Sequence, residues 1–398
     1  MNLLVTPLFM NRSGERKSLI FGRIPKHFGK DIIKTLGRRQ IMNNFMTSRK
    51  TLVTGAAGFI GRNLMKALKD SSILSFTGID ILIDSKHDLR DLHNIEDIFK
   101  ETGPYDTIIH LAALTSVQLS MTDPARVILE NIYMMVNLLE AARKYKTRRI
   151  IFASSGSVTG NYGNVGLKSE AMPTEPMSPY SASKVACEQL GCSYAKSFNM
   201  NFIALRLGNV HGPYSEKKNN LISNLIRNTL GGDTTTIYGM DVERDYIYVE
   251  DVINVIVKFI QGTPALGIFD IYNVGTGVRH KTREVIDHIN DIIKSPMKLS
   301  LVERREGDLT SVRLSPVKLN TIFDGLKITQ FEEGLVKTAE WFKNREIDDE
   351  VDKVKEQQTP PSMMYNERLL FKEPEEPSCD CPDRKDGFHQ PGCKTTNI

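Results

Sequence analysis

The clearest chemical signal in this sequence comes from Tyr180 and Lys184, which lie four positions apart in the run SPYSASK. Positions i and i+4 of a helix share one face, so an ammonium group would lie beside a phenol there. A nearby cation favours the phenolate, which predicts that Tyr180 accepts a proton near neutral pH. The same spacing is common on exposed helices, so this interpretation depends on the rest of the chain.

A glycine-rich turn upstream supplies that context. Residues 50–54 form a short apolar run, Gly55, Gly58 and Gly61 follow, and residues 63–68 are typical of a helix. A strand, a glycine turn and a helix allow backbone amides to approach a pyrophosphate at a helix N-terminus. The glycine spacing is GxxGxxG rather than the usual GxGxxG, but the physical requirement is the same.

Asp80 follows Gly61 at the end of a second apolar run that contains Gly78 and Ile79. A carboxylate at this place suits a ribose 2′-hydroxyl and repels a 2′-phosphate. The sequence therefore favours NAD over NADP. The alternative is an aspartate that only ends a strand.

Composition is that of an ordinary globular enzyme, with 398 residues, 40% hydrophobic and 25% charged. No apolar run approaches the roughly 20 residues that span a bilayer. The formal charge of +4 misleads, because eleven of the 52 lysines and arginines lie in residues 1–50 against two acidic residues. The rest of the chain is acidic on balance. We therefore expect a cytoplasmic protein that binds neither nucleic acid nor membranes.

Both ends of the chain differ from its centre. Residues 1–48 are basic and without hydrophobic periodicity, and are predicted to be a targeting extension or a disordered or non-native segment upstream of Met42 or Met46. Residues 346–398 are polar and proline-rich, which predicts disorder. Their cysteines and histidine do not have the common zinc spacing, so no metal site is predicted; these residues are Cys379, Cys381, His389 and Cys393.

Between the two ends, strands and helices alternate. Residues 107–112 and 149–154 are predicted strands, and residues 124–145 a helix. This pattern predicts an α/β fold with a Rossmann-type doubly wound parallel sheet over residues 49–206. Residues 207–345 are predicted to form mainly a smaller substrate-binding lobe, with some segments that return to the sheet. Strand ends line the crevice of such a sheet, which would bring Ser155 to the edge that carries the glycine turn.

With these motifs in place, residues 50–345 resemble the nucleotide-sugar epimerases and dehydratases of the extended short-chain dehydrogenase/reductase family, above all the UDP-sugar 4-epimerases. The ordered series of motifs is highly specific: TGAAGFIG from Thr54, HLAAL from His110, SSGSV from Ser154, YSASK from Tyr180, RLGNVHGP from Arg206, RDYIYVEDV from Arg244, YNVGTG from Tyr272 and RREGD from Arg304.

The resemblance implies a role for each matching position. Ser155, Tyr180 and Lys184 would be catalytic, with Ser155 bonded to the reacting sugar hydroxyl. Residues that would bind NAD are Gly55, Gly58, Phe59, Ile60, Gly61, Asp80, Asp88, Leu89, Leu111, Ala112, Ala113, Asn131, Tyr180 and Lys184. Residues that would bind the nucleotide-diphosphate sugar are Ser155, Asn209, Arg244, Arg305 and Asp308. The resemblance also implies a homodimer.

The sequence departs from the family at two places. Thr159 stands where a tyrosine usually lines the sugar pocket, which leaves the sugar open. Gly156 and Ser157 stand where dehydratases place an Asp-Glu pair that protonates the leaving water and removes the proton at carbon 5.

The predicted function is therefore NAD-dependent epimerisation at carbon 4 of a nucleotide-diphosphate sugar, through a 4-keto intermediate. A nucleotide-sugar decarboxylase, dehydratase or reductase on the same scaffold remains an alternative, and so does a non-catalytic NAD-binding sensor.

Overall fold

A six-stranded parallel sheet organises the fold. The computed structural model describes residues 50–71, 75–161, 166–262, 267–305 and 309–345. The sheet strands are β1 Lys50–Thr54, β2 Ser75–Ile79, β3 Thr107–His110, β4 Arg149–Ser155, β5 Asn201–Leu207 and β10 Phe269–Val274. Their order across the sheet is β10-β5-β4-β3-β1-β2, and every neighbouring pair is parallel.

Helices cover both faces of this sheet, so its strands read as continuous apolar runs. They are α1 Phe59–Asp70, α2 Leu92–Thr102, α3 Val117–Thr122, α4 Pro124–Lys144, α5 Pro179–Phe198 and α7 Val249–Gln261. Val53 points into the hydrophobic cluster with α1 and α7. Its neighbour Leu52 points the opposite way, into the cluster with α2, α4 and α5. The predicted doubly wound α/β fold is confirmed.

Outside the sheet, a further hydrophobic cluster includes Leu225, Ile289 and Leu335, and the elements around it are called the smaller lobe here. Its strands are β6 Asn209–His211, β7 Thr234–Tyr238, β8 Glu243–Arg244, β9 Tyr246–Tyr248, β11 His280–Lys281 and β12 Lys298–Val302. Its helices are α6 Leu221–Gly231, α8 Thr282–Ile293 and α10 Phe331–Asn344, whereas α9 Val317–Ile322 packs on the sheet through Leu319. Strand β10 lies midway through these elements in the chain, after β9 and before β11, but pairs with β5, so the sheet is completed only after the first part of the lobe.

Element boundaries differ modestly from those predicted. The strand predicted over residues 107–112 ends at His110, because residues 111–113 turn away from the sheet. The predicted terminal segments 1–48 and 346–398, with their Cys/His cluster, lie outside the described residues, as does Asp308. Among the described helices, none has the length and apolar character needed to cross a membrane. The described residues also hold no cluster of three or more metal-ligating side chains.

The turn after β1 depends on two glycines. Gly55 has a φ of +73°, and a Cβ there would lie 2.7 Å from the backbone nitrogen of Ala112. Gly61 lies in the first turn of α1, where a Cβ would approach the Gly55 carbonyl oxygen to 2.0 Å. The turn can fold this tightly because neither position carries a side chain.

We expect Gly61→Ala to lower the free energy of unfolding by about 1–3 kcal/mol, because the added methyl group must displace backbone. NAD binding should weaken together with stability, since the same backbone forms the turn. Urea unfolding and calorimetric titration with NAD measure both effects. Gly166→Ala is the matched control, because a Cβ there meets nothing within 4 Å. Equal behaviour of the two variants would contradict this account of the turn.

Candidate active site

Helix α5 places the predicted acid–base pair against the carboxyl end of β4. Tyr180, in the first turn of the helix, lies beside the Ser155 hydroxyl at the end of the strand, near enough for that hydroxyl to lower the pKa of the phenol. Lys184, one turn later, donates from Nζ to the Ala153 carbonyl oxygen at 2.9 Å. The same nitrogen lies 5.8 Å from the centre of the Tyr180 ring. The three residues predicted to be catalytic therefore meet at the sheet edge that also carries the glycine turn.

A buried ion pair continues this docking one turn further along α5. The carboxylate of Glu188 accepts a hydrogen bond from Ser154 Oγ at 2.6 Å and from Arg206 Nη2 at 2.7 Å. Both charged side chains are at most 2% exposed. Sequence analysis missed this pair, although Glu188 lies eight residues after Tyr180 on the same helix face. The pair fixes the strand end on which Ser155 lies.

Burial is the largest influence on the pKa values of Tyr180 and Lys184. It raises the pKa of Tyr180 to about 12, against the opposing hydrogen bond from Ser155. Burial also lowers the pKa of Lys184 to about 8. The expectation that Lys184 alone makes Tyr180 a base near neutral pH is therefore wrong for the ligand-free protein. A sequence shows that the two groups are neighbours, but it does not show that both lose solvation.

The glycine turn and Asp80 form an edge that fits a dinucleotide. Helix α1 begins after Gly58 without a side-chain cap, so its first amides remain available to a phosphate. Asp80 Oδ2 accepts the Ala57 amide at 3.0 Å, and Oδ1 accepts the Leu82 amide at 2.9 Å. Each carboxylate oxygen keeps a further lone pair for a ribose hydroxyl. Phe59 is buried and Ile60 is partly buried at the start of the helix.

The remaining residues predicted to bind the cofactor lie along the next two strand ends. The carboxyl of Asp88 is held by Arg90 at 2.7 Å. Burial acts to raise the pKa of Asp88, but the bonds and charge of Arg90 outweigh it and lower that pKa. Leu89 is buried beside it. Residues 111–113 follow β3, and Ala112 donates its amide to Thr54 Oγ1 at 3.3 Å, which ties this loop to the glycine turn.

Asn131 has a clear positioning function. Its side-chain oxygen accepts the Leu114 amide at 2.8 Å, and its nitrogen donates to the Leu114 carbonyl at 3.1 Å and to Ser183 Oγ at 3.0 Å. The loop after β3 and the helix that carries Tyr180 are thereby held together. A direct contact of Asn131 with the cofactor stays a prediction.

Three predicted substrate ligands lie in the smaller lobe. Asn209 donates its backbone amide to the Asp245 carbonyl oxygen at 2.7 Å, which places Asn209 beside the strand segment that follows Arg244. The guanidinium of Arg305 lies over the Tyr238 ring, 3.4 Å from its centre. Sequence analysis did not identify Tyr238. Next to this stacked pair in the chain is a cavity of 270 Å³ lined by Gly239, Met240, Asp241, Val242, Arg304 and Thr310.

A loop between β6 and α6 reaches back to the cofactor edge. Lys218 Nζ lies 3.2 Å from Thr115 Oγ1, in the segment after β3. Glu216 forms an ion pair with Arg62 of α1 at 2.9 Å. Burial lowers the pKa of Lys218, and the charge of Lys218 acts on Lys184. Sequence analysis missed Lys218, because a Lys-Lys pair in a loop looks like a solvated surface.

Comparisons with known proteins agree with this architecture. Residues 51–275 match the NAD dependent epimerase/dehydratase family. A UDP-glucose 4-epimerase of Mycolicibacterium smegmatis is 32% identical, over 74% of this chain and 99% of its own length. A dTDP-glucose 4,6-dehydratase of Neisseria meningitidis is 29% identical, over 74% of this chain and 93% of its own length.

Solved structures give the same result. The UDP-glucose 4-epimerase of Thermus thermophilus, in complex with NAD, superposes with a TM-score of 0.69 at 31% identity. The match covers 75% of this chain and the whole of that one. The residues at the glycine turn fit the cofactor that this relative binds. This chain belongs to the NAD-dependent epimerase/dehydratase family of the extended short-chain dehydrogenase/reductases.

Proposed function

We propose that the protein epimerises carbon 4 of a nucleotide-diphosphate sugar, most suitably a UDP-sugar, through a 4-keto intermediate. The observation that carries this proposal is the position of the Tyr180 phenol beside the Ser155 hydroxyl, with Lys184 one turn away, at the glycine-lined edge of the sheet. This arrangement offers a proton acceptor and a hydroxyl donor to one sugar alcohol.

The proposed chemistry divides between these side chains. Tyr180 removes the proton from the sugar hydroxyl as the carbon–hydrogen bond breaks, and later returns it. NAD held at the glycine turn would supply the hydride acceptor and donor, and its positive ring charge would favour the phenolate. Ser155 donates a hydrogen bond to the reacting oxygen. Lys184 stays anchored to Ala153 and places its positive charge beside the phenol.

Retention of the nucleotide is as important as proton transfer. The 4-keto sugar must turn over while its diphosphate stays bound, so that hydride returns to the opposite face. Arg244 and Arg305 supply guanidinium groups suited to diphosphate oxygens, and Asn209 pairs with the strand segment that follows Arg244. The Tyr238 ring, on which Arg305 stacks, offers an aromatic surface at the nucleotide end.

Residues after Ser155 favour epimerisation over dehydration. Elimination of water needs an acid and a base next to the sugar, and this chain has Gly156 and Ser157 at those positions. Thr159 is fully buried and donates its hydroxyl to the Gly156 carbonyl at 2.9 Å. Its side chain is thus turned into its own loop, and the choice of sugar falls to other residues.

The direct test is a product assay. Purified protein, supplied with NAD, is incubated with UDP-, dTDP-, GDP- and CDP-sugars in heavy water, and products are separated by chromatography and weighed by mass spectrometry. Epimerisation predicts a product of unchanged mass without deuterium at carbon 4, because the hydride comes from the substrate. Loss of water with deuterium at carbon 5, or loss of carbon dioxide, would instead establish a dehydratase or a decarboxylase.

Tyr180→Phe should reduce turnover by about 10²–10⁴-fold, because it removes the group that transfers the proton. Binding of NAD and of the nucleotide should survive, since the ring remains. Tyr194→Phe is the matched control on the same helix, because its hydroxyl bonds Glu140 outside the site. Initial rates and calorimetric titrations measure the two properties. Undiminished turnover in Tyr180→Phe would refute the assignment of this tyrosine.

The low pKa of Lys184 predicts a pH effect on the ligand-free protein. Lys184 titrates with a pKa of about 8 when folded and about 10.4 when unfolded, so the unfolded chain binds more protons between these values. The contribution of Lys184 to the free energy of unfolding therefore rises with pH from 8 to 10, by about 1–3 kcal/mol.

Chemical denaturation across this range checks the effect. Relative to wild type, Lys184→Met should flatten the rise, whereas Lys196→Met, at an exposed position of the same helix, should keep it. A rise that persists unchanged in Lys184→Met would show that other groups cause it.

A further inference from the structure

A continuous row of serine hydroxyls runs from the site into helix α5. Ser155 Oγ and Ser157 Oγ are 2.9 Å apart. Ser181 Oγ donates to Ser157 Oγ at 2.8 Å, and Ser178 Oγ lies 3.0 Å from Ser181 Oγ. Tyr180 lies beside the first hydroxyl of the row, which acts to lower the pKa of the phenol. Four serines from two separate segments thus lead to the oxygen that is proposed to transfer the proton.

The number of protons on these hydroxyls fixes which serine donates and which accepts in each hydrogen bond of the row. Each hydroxyl has one proton to donate, and that of Ser181 is committed to Ser157. Ser178 must therefore be the donor in its bond with Ser181. The Ser157 amide already donates to Ser155 Oγ at 3.2 Å, and the Ser157 hydroxyl can donate to the same oxygen. Before a substrate binds, Ser155 then keeps its own proton for the Tyr180 oxygen.

The surroundings keep this row ordered. Ser178 and Ser181 are 6% and 2% exposed, so water does not readily replace their bonds. Ser178 also caps helix α5 by accepting the Ser181 amide at 3.2 Å, which fixes the inner end of the row. Hydrogen bonds in such a chain polarise one another in a low-dielectric interior.

We propose that Ser157 and Ser181 are positioning residues that orient Ser155 as a donor toward the Tyr180 oxygen, and so stabilise its phenolate form. This inference rests on the proposed function for its catalytic meaning, but the effect on Tyr180 exists without any substrate. The proposal also assigns a role to the Ser157 hydroxyl, which stands where dehydratases of the family have an acidic residue.

Other charged and titratable groups around Tyr180 are left in place by the test. Lys184 and Cys187 face it from its own helix. From other elements, His110 at the end of β3 is electrostatically coupled to Lys184, and Lys218 in the loop after β6 acts on Lys184. Their charges do not change when a serine hydroxyl is removed.

The test measures the ionisation of Tyr180 in the full chain loaded with NAD. The ionisation is monitored by NMR of tyrosine labelled with ¹³C at Cζ, and the Tyr180 signal is assigned by its absence in Tyr180→Phe. We expect Ser157→Ala and Ser181→Ala each to raise the titration midpoint by about 0.3–0.6 pH unit, a fraction of the effect of Ser155→Ala. The pH profile of kcat/KM should move by the same amount, which lowers the rate below the midpoint about two- to fourfold.

A sharper criterion is whether Ser181 and Ser157 act in series on Tyr180. Ser181 acts only through Ser157, so Ser181→Ala should add nothing in the Ser157→Ala background. Ser157→Thr restores the hydroxyl and should restore the midpoint, and Ser193→Ala, exposed on the same helix, should leave it unchanged. Additive shifts, unshifted midpoints, or a wild-type Tyr180 that stays neutral up to about pH 10 would each overturn the proposal. If the titration midpoints shift as expected but no sugar nucleotide is turned over, the proposed function is refuted and the proposal about the serines is not.

Discussion

The docking of helix α5 on the end of strand β4 is the constraint on which the site depends. Lys184 and Glu188 are hydrogen-bonded to residues 153 and 154 of the strand, and Tyr180, one turn earlier on the helix, lies beside Ser155. The inner bond of this set belongs to a buried ion pair, and loss of one partner of such a pair typically costs about 3–5 kcal/mol. Since that bond is buried, the phenol oxygen is held as rigidly as the sheet itself, and more rigidly than a side chain on a surface helix.

The smaller lobe is tied to the same framework. Arg62 and Asn63 of helix α1 hold the loop after β6, through Glu216 and through the Pro213 carbonyl at 2.9 Å. This loop carries Lys218 to the segment after β3. The helix that begins at the glycine turn therefore also supports the loop through which the lobe reaches the cofactor edge.

Much of the architecture could be predicted from the sequence, because its signals are local. The glycine turn, Asp80 at the end of β2 and the YSASK run each occupy one short segment, and the strand and helix periods around them are regular. Contacts between distant segments could not be predicted in this way. Ser157 meets Ser181 across 24 positions, and Lys218 meets Thr115 across 103.

The pKa of Tyr180 shows the same limit in energetic form. Spacing on a helix predicts which charge lies near the phenol, and it predicts the sign of that one interaction. Burial acts in the opposite direction and is larger here, and it results from the packing of the whole sheet edge. The sequence contains no local signal of that burial, so the direction of the net shift could not be predicted from the Tyr180 helix alone.

The pairing of β10 with β5 also has a consequence for how the chain reaches its native state. Strand β5 cannot pair with β10 until residues 208–268 have been synthesised, since β10 begins at Phe269. During synthesis its unpaired backbone is an open edge, which invites wrong pairing. Only the first part of the lobe lies between the two strands, because the helices that carry Ile289 and Leu335 follow β10. A nascent chain that stalls between β5 and β10 therefore has neither a complete sheet nor a complete lobe, and is the species most exposed to aggregation.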